Sequence, residues 1–199
     1  DLDQIKNILL KYEIKNQLIQ ISLEDFKDKI IGNYSPAKFA NMANLYTSLI
    51  LAKNESKDLV YFVEDDYIHT KNAILEMLFV YEKFSSILKS EIFLVPADYP
   101  YLYTKNTNTK IFFGHQKHWR LIDESLVTFM TSKEAVLNNL EKLLTMAKKW
   151  DDPWEKPLHE VYKKIPCFSP IPSLSLHCAN INSVYGLPPS LDWKKIWEE

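Results

Sequence analysis

The chain has 199 residues, 46% of them hydrophobic, which is enough to bury one substantial core, and its length fits a single domain over 1–199. Its 24 basic and 26 acidic residues leave a formal net charge of -2 with no long like-charged block, which removes any electrostatic case for a nucleic-acid partner or an anionic membrane surface. Cys167 and Cys178 are too few for a disulfide framework or a zinc site, and no stretch reaches the roughly 20 apolar residues of a membrane span, so a cytoplasmic location, free or peripheral to a membrane, is expected.

The chain opens on Asp1 rather than Met, already within a helical pattern, as a processed, trimmed or incompletely represented protein does. Residues 2–12 put Ile5, Leu9 and Tyr12 at helical spacing, and QLIQISL from Gln17 to Leu23 reads as a short strand. A helix is predicted next, with Ser35 as N-cap, Pro36 at its first position and Phe39, Met42, Leu45 and Leu49 on one face. Leu59 to Val63 is an unbroken apolar run, the pattern of a strand buried on both faces. It ends on three consecutive acids, Glu64, Asp65 and Asp66.

Lys71 to Leu88 carries Ile74, Met77, Leu78, Tyr81 and Phe84 at helical steps, and EIFLVP from Glu91 is the next strand. Alternating strands and helices predict an α/β sheet, at least partly parallel, with ligands gathering beyond the carboxyl ends of its strands. Asp98 to Asn108 reads as a loop, and KIFFGHQKHWRLIDESLVTFMT as two short strands. Thr131 to Glu134 forms a capping box ahead of one helix through Val136, Leu140, Leu143 and Ala147, and the proline-punctuated tail reads as extended.

The acids carry the chemistry. On an extended backbone Glu64 and Asp66 point to one side, about 7 Å apart, and such a pair suits Mg²⁺ or Mn²⁺ with positions left for water and phosphate. The plain alternative is an exposed acidic turn screened by water. Only Gly32, Gly114 and Gly186 are present, so no glycine-rich phosphate cradle can be built and a cation has to take that role. Arg120 is the only arginine in a lysine-rich chain, a place where a planar, multidentate donor is needed or simple drift.

FANMANLYTSLILAKNESKD followed by LVYFVEDDYIH resembles the acidic metal and sugar-nucleotide motif, with its preceding helix, of GT-A class glycosyltransferases of the nucleotide-sugar-dependent, family-2-like kind. The resemblance runs over most of the chain, from Gln17 onward. It implies a GT-A-like, Rossmann-like α/β fold, with a mixed, mostly parallel sheet flanked by helices. It further implies Mn²⁺ or Mg²⁺ held by Asp66, Glu64 and the downstream His177, and a UDP- or GDP-linked sugar met by Glu64 and Asp65; Lys38 and Arg120 are candidate auxiliary contacts to its phosphates by their charge. A carbohydrate or other hydroxyl compound would be the acceptor. Such domains begin with a strand, helix and strand that hold the nucleoside base, and only part of that unit precedes Glu64. For His177 the ordinary alternative is a hydrogen-bonded surface histidine, and for Lys38 and Arg120 an ordinary surface cation.

An inverting enzyme of this kind also needs a general base, which the resemblance places at the start of a late helix. Asp151 and Asp152 match, one as helix cap and the other as base, with the two roles unassigned between them. Asp123 and Glu124 compete for the base, Asp98 lies at the productive edge of the sheet, and Tyr99, Tyr101, Tyr103 and Trp119 offer faces for sugars. The rival readings are a metal-dependent phosphoesterase or nucleotidyltransferase, and a non-catalytic carbohydrate-binding module of the same fold.

Overall fold

The computed structural model describes residues 2–12, 15–104, 108–179 and 181–198. Helix α1 (Leu2–Lys11) forms as its spacing predicts, and its Ile5 and Ile8 stay exposed. The strand expected over Gln17–Leu23 is absent. Residues 16–22 have no ladder partner, leave Leu18 and Ile19 exposed, and run into a 3₁₀ turn (Leu23–Phe26) anchored by buried Phe26. β-patterned residues make a strand only where another edge accepts their hydrogen bonds.

Helix α2 (Pro36–Glu55) starts as expected, with the Ser35 hydroxyl accepting from the Lys38 amide at 3.4 Å and Pro36 in the first turn. Its buried side, Met42, Leu45, Leu49 and Ala52, delivers the chain to β1 (Leu59–Phe62). Then come β2 (Tyr67–His69), α3 (Ala73–Leu88) and β3 (Phe93–Leu94). The loop expected over 98–108 contains a 3₁₀ turn at Pro100–Tyr103, and its residues 105–107 lie outside the described residues.

The two strands expected next are three: β4 (Ile111–Phe113), β5 (His118–Ile122) and β6 (Phe129–Ser132). The N-cap that follows is Ser132, one residue later than the predicted box, and its hydroxyl accepts from the Ala135 amide at 2.9 Å. The single predicted helix is divided into α4 (Lys133–Asn138) and α5 (Leu140–Lys148). At the break the Asn139 side-chain amide donates to the Ala135 carbonyl at 2.8 Å, the local competition that makes asparagine a helix interrupter. Helix α6 (Lys156–Tyr162), β7 (Cys167–Ile171), β8 (Ser175–His177) and α7 (Trp193–Glu198) complete the chain, the last within a tail that reads as extended.

The main sheet has six strands in the order β1-β6-β3-β7-β5-β4, and β2 pairs with β8 in a separate ribbon. An α/β sheet flanked by helices is therefore present, but it is mostly antiparallel, and β3–β7 is its one parallel pair. The strand–helix–strand alternation does make β1 and β3 point the same way. β6 enters between them antiparallel to both, so they never become neighbours. β1, β3 and β7 thus share one carboxyl edge, where ligand sites of such sheets gather. β1 is itself an edge strand, half-buried rather than covered on both faces, and Val63 beyond it is 50% exposed.

Successive residues of the strands feed two cores. Phe93, Phe129 and Cys167 pack with α2, α4, α5 and α6, while Leu94, Met130 and Phe168 pack with α3 and Trp119. Helices therefore lie on both faces, as the composition of the strands requires.

Candidate functional site

Beyond the end of β1 the triplet turns into β2, and the β2–β8 ribbon sets Tyr67 directly across from His177. The Cys178 amide donates to the Asp66 carbonyl at 2.7 Å and closes the ribbon against the triplet. Across 111 positions of sequence, His177 Nε2 comes to 3.0 Å from Asp66 Oδ2. The other carboxylate oxygen, Asp66 Oδ1, is buried and has no hydrogen-bond partner among the described residues. The His177 ring stacks on Tyr67 at 5.0 Å, and the Tyr67 hydroxyl meets that of buried Tyr99 at 2.6 Å. His177 is thereby held from behind.

Glu64 is tied to the residue just ahead of β6. Its amide donates to Thr128 Oγ1 at 3.0 Å, and the Thr128 hydroxyl lies 3.3 Å from Glu64 Oε2. Burial first, then the negative charge of Asp66, pushes the Glu64 carboxyl up to about 7, against the pull of Thr128. Glu155, the N-cap residue of α6, adds to that push and is itself raised by burial. Three acids, Glu64, Asp66 and Glu155, therefore act on one place, and Asp65 beside them is exposed.

Because the folded state favours the proton on Glu64, the stability it contributes is full below the ordinary carboxyl range and is lost as pH rises to about 7. With Glu64→Gln this loss is expected to vanish. In urea titrations without divalent metal, the variant should gain about 1–2 kcal/mol over the parent between about pH 5 and about pH 8. An unchanged difference across that range contradicts the buried placement of Glu64.

The triplet forms one end of a cleft of about 620 Å³ between α2 and the open edge of β1. Asn41, Asn44 and Ser48 of α2 line one wall, the β1 backbone another, and Trp154 closes it. Trp154 stacks on Trp150 at 4.7 Å, and the Lys38 ammonium sits 4.5 Å over the Trp150 ring, next to the cleft.

Other predicted residues fall elsewhere. Arg120 is not among the cleft residues; its guanidinium is buried, 2.9 Å from Asp98 Oδ1 and 4.3 Å over the Tyr103 ring. Tyr103 donates to Asp98 Oδ2 at 2.5 Å, and burial raises the Asp98 carboxyl even so. Arg120 also donates weakly to the Leu102 carbonyl at 3.5 Å. The lone arginine thus marks a planar, multidentate contact, made inside the protein. Arg120→Lys keeps the charge and loses the plane, and is expected to cost about 1–3 kcal/mol in urea denaturation. Unchanged stability would contradict this buried, structural role.

Asp151 is exposed and paired with Lys149 at 2.9 Å, and Asp152 is exposed, so neither takes the half-buried place that Glu155 holds three to four residues later. Asp123 is exposed beside a separate groove, and Tyr101 donates to the Glu124 carbonyl at 2.5 Å. Tyr99 and Trp119 are buried in the cores, and the Trp119 indole N–H donates to Glu76. Glu155, Thr128 and Tyr67 escape sequence reasoning. Their only sequence signals are adjacency to Trp154, to a strand and to the triplet.

Among the described residues no group of three or more His, Cys, Asp or Glu side chains is arranged to hold a metal ion. Hard cations that serve phosphates do not require such a group, since they take one or two carboxylates and leave positions to substrate oxygens. The unpartnered Asp66 Oδ1 beside His177 fits such an open set as a pair, and Glu64 is close enough for the Asp66 charge to raise its carboxyl. A scan against protein-family models finds no match, and a search of the curated proteins finds none either.

Proposed function

We propose that the chain is a metal-dependent glycosyltransferase of GT-A-like fold, moving a sugar from a UDP- or GDP-linked donor to a hydroxyl of a carbohydrate acceptor. The observation that carries this reading is the meeting of Asp66 and His177 at the carboxyl edge of the sheet, with one Asp66 oxygen left open. Asp66, His177 and Glu64 are the residues to hold Mn²⁺ or Mg²⁺, which when bound neutralises charge on a departing diphosphate.

The protein's own groups do the rest. Thr128 fixes the direction of Glu64, and Tyr67 fixes the plane of His177. The cleft between α2 and β1 receives the nucleotide end of the donor, with Asn41 and Asn44 as hydrogen-bonding groups and Trp154 as an apolar face. As the bond from sugar to diphosphate breaks and the acceptor oxygen attaches, the acceptor loses a proton. Glu155 is assigned to take it, because burial raises its carboxyl and it adjoins Trp154 of the cleft, whereas Asp151 and Asp152 are exposed.

Mixing the protein with Mn²⁺ and UDP- or GDP-linked sugars tests the reading, through release of free nucleoside diphosphate. Release that requires the metal supports it. Cleavage of a simple phosphodiester without response to sugar nucleotides would assign a phosphoesterase, and oligosaccharide binding without any nucleotide effect a binding module.

A further inference from the structure

Helix α3 is apolar on both sides. Met77, Val80, Tyr81 and Phe84 pack on the sheet, while Ile74, Leu75, Leu78 and Phe79 face outward, each 42–52% exposed. A helix that is hydrophobic all round is ordinarily covered on all sides, and contiguous outward patches of this kind mark interaction sites. A groove of about 530 Å³, lined by Phe79, Glu82, Phe113 and His115 among others, runs along the same face.

The order of residues on this face says what covers it. Lys71, in the turn ahead of the helix, then Leu75, Leu78 and Glu82 follow at steps of four, three and four residues, the spacing of a coiled-coil seam. All four are exposed, and neither Lys71 nor Glu82 forms an ion pair among the described residues. Lys83, by contrast, is already committed to the Phe113 and Gly114 carbonyls at 2.9 Å. Read backwards, the series Lys, Leu, Leu, Glu becomes its own complement.

We propose that the chain forms a two-fold symmetric dimer through antiparallel packing of α3. Leu75 packs on Leu78 of the partner subunit, and Lys71 pairs with Glu82 of the partner subunit at both ends of the seam. The same axis sets Ile74 against Phe79 of the partner subunit. A two-fold interface must be self-complementary in this way, each residue pair occurring twice. Parallel packing would set Lys on Lys and Glu on Glu. A membrane surface would draw Glu82, in the middle of the outward face, toward the acyl boundary, where an acid is disfavoured. The candidate cleft is lined from α2, across the sheet from α3, so it stays open in the dimer.

Sedimentation equilibrium of the full chain tests this. The parent is expected to be dimeric and Leu78→Asp monomeric with an unchanged circular-dichroism spectrum. Lys71→Glu and Glu82→Lys are each expected to raise the dimer dissociation constant at least about tenfold. Mixed one to one they should dimerise again, because one copy then carries two acids and the other two bases. This exchange decides the matter even if Leu78→Asp fails to fold. A parent that stays monomeric at every concentration, a dimer indifferent to these changes, or a mixture that remains monomeric overturns the proposal. So does a monomer that instead sediments with phosphatidylserine vesicles.

Discussion

Asp66→Ala is expected to lower metal-dependent release of nucleoside diphosphate by at least about a thousandfold, while the melting temperature falls only slightly. The asymmetry follows from the geometry. Asp66 contributes little to the cores, its side chain being 33% exposed and, among the described residues, hydrogen-bonded only to His177. Its loss leaves the His177 ring stacked on Tyr67 and costs one partly solvated hydrogen bond, about 1 kcal/mol. Chemically it removes the acid with an open oxygen and the group that aims His177. His177→Ala should give the same pattern, and a circular-dichroism melt beside a donor-release assay checks both variants. Full turnover by a folded Asp66→Ala protein would leave the triplet without a role.

Glu76→Ala should be the most damaging single change to stability, about 3–5 kcal/mol in urea denaturation. Glu76 is a charged residue on the inner face of α3, 3% exposed, with no cation paired to it among the described residues. Its carboxylate instead accepts from the backbone amides of His115, Gln116 and Lys117 at 2.9–3.3 Å and from the Trp119 indole at 3.2 Å. One side chain thereby closes the β4–β5 hairpin onto the helix. Alanine leaves four donors facing a void, whereas Glu76→Gln keeps an acceptor oxygen and should retain about half of the stability lost. Near-equal losses for the two variants would show that volume rather than hydrogen bonding is at stake.

Where local rules decide structure, the sequence is a sufficient guide. Ser35 and Pro36 start α2 because cap geometry and proline's fixed φ act within one turn, and the apolar run from Leu59 ends where charge begins. The direction shared by β1 and β3 follows from the helix between them. What local rules cannot reach is pairing. Nothing near Phe129 indicates that β6 enters between β1 and β3, so a sheet expected to be mostly parallel is mostly antiparallel. Gln17–Leu23 has the residues of a strand and no edge to join.

The candidate site divides the same way. The triplet is contiguous and legible, and His177 is found by chain order. Asp98 and Arg120, which look like surface chemistry, are each other's buried partners. Glu155 is invisible because its importance arises only on folding, when burial raises its carboxyl and its charge comes to act on Glu64.

Calorimetric titration of the protein with UDP and with GDP, in the presence and absence of Mn²⁺, bears most directly on the cation site. Binding of a nucleoside diphosphate that needs Mn²⁺, and that disappears in both Asp66→Ala and His177→Ala, is the expected result. Binding that ignores the metal, or that survives the loss of both side chains, would contradict a cation held between them.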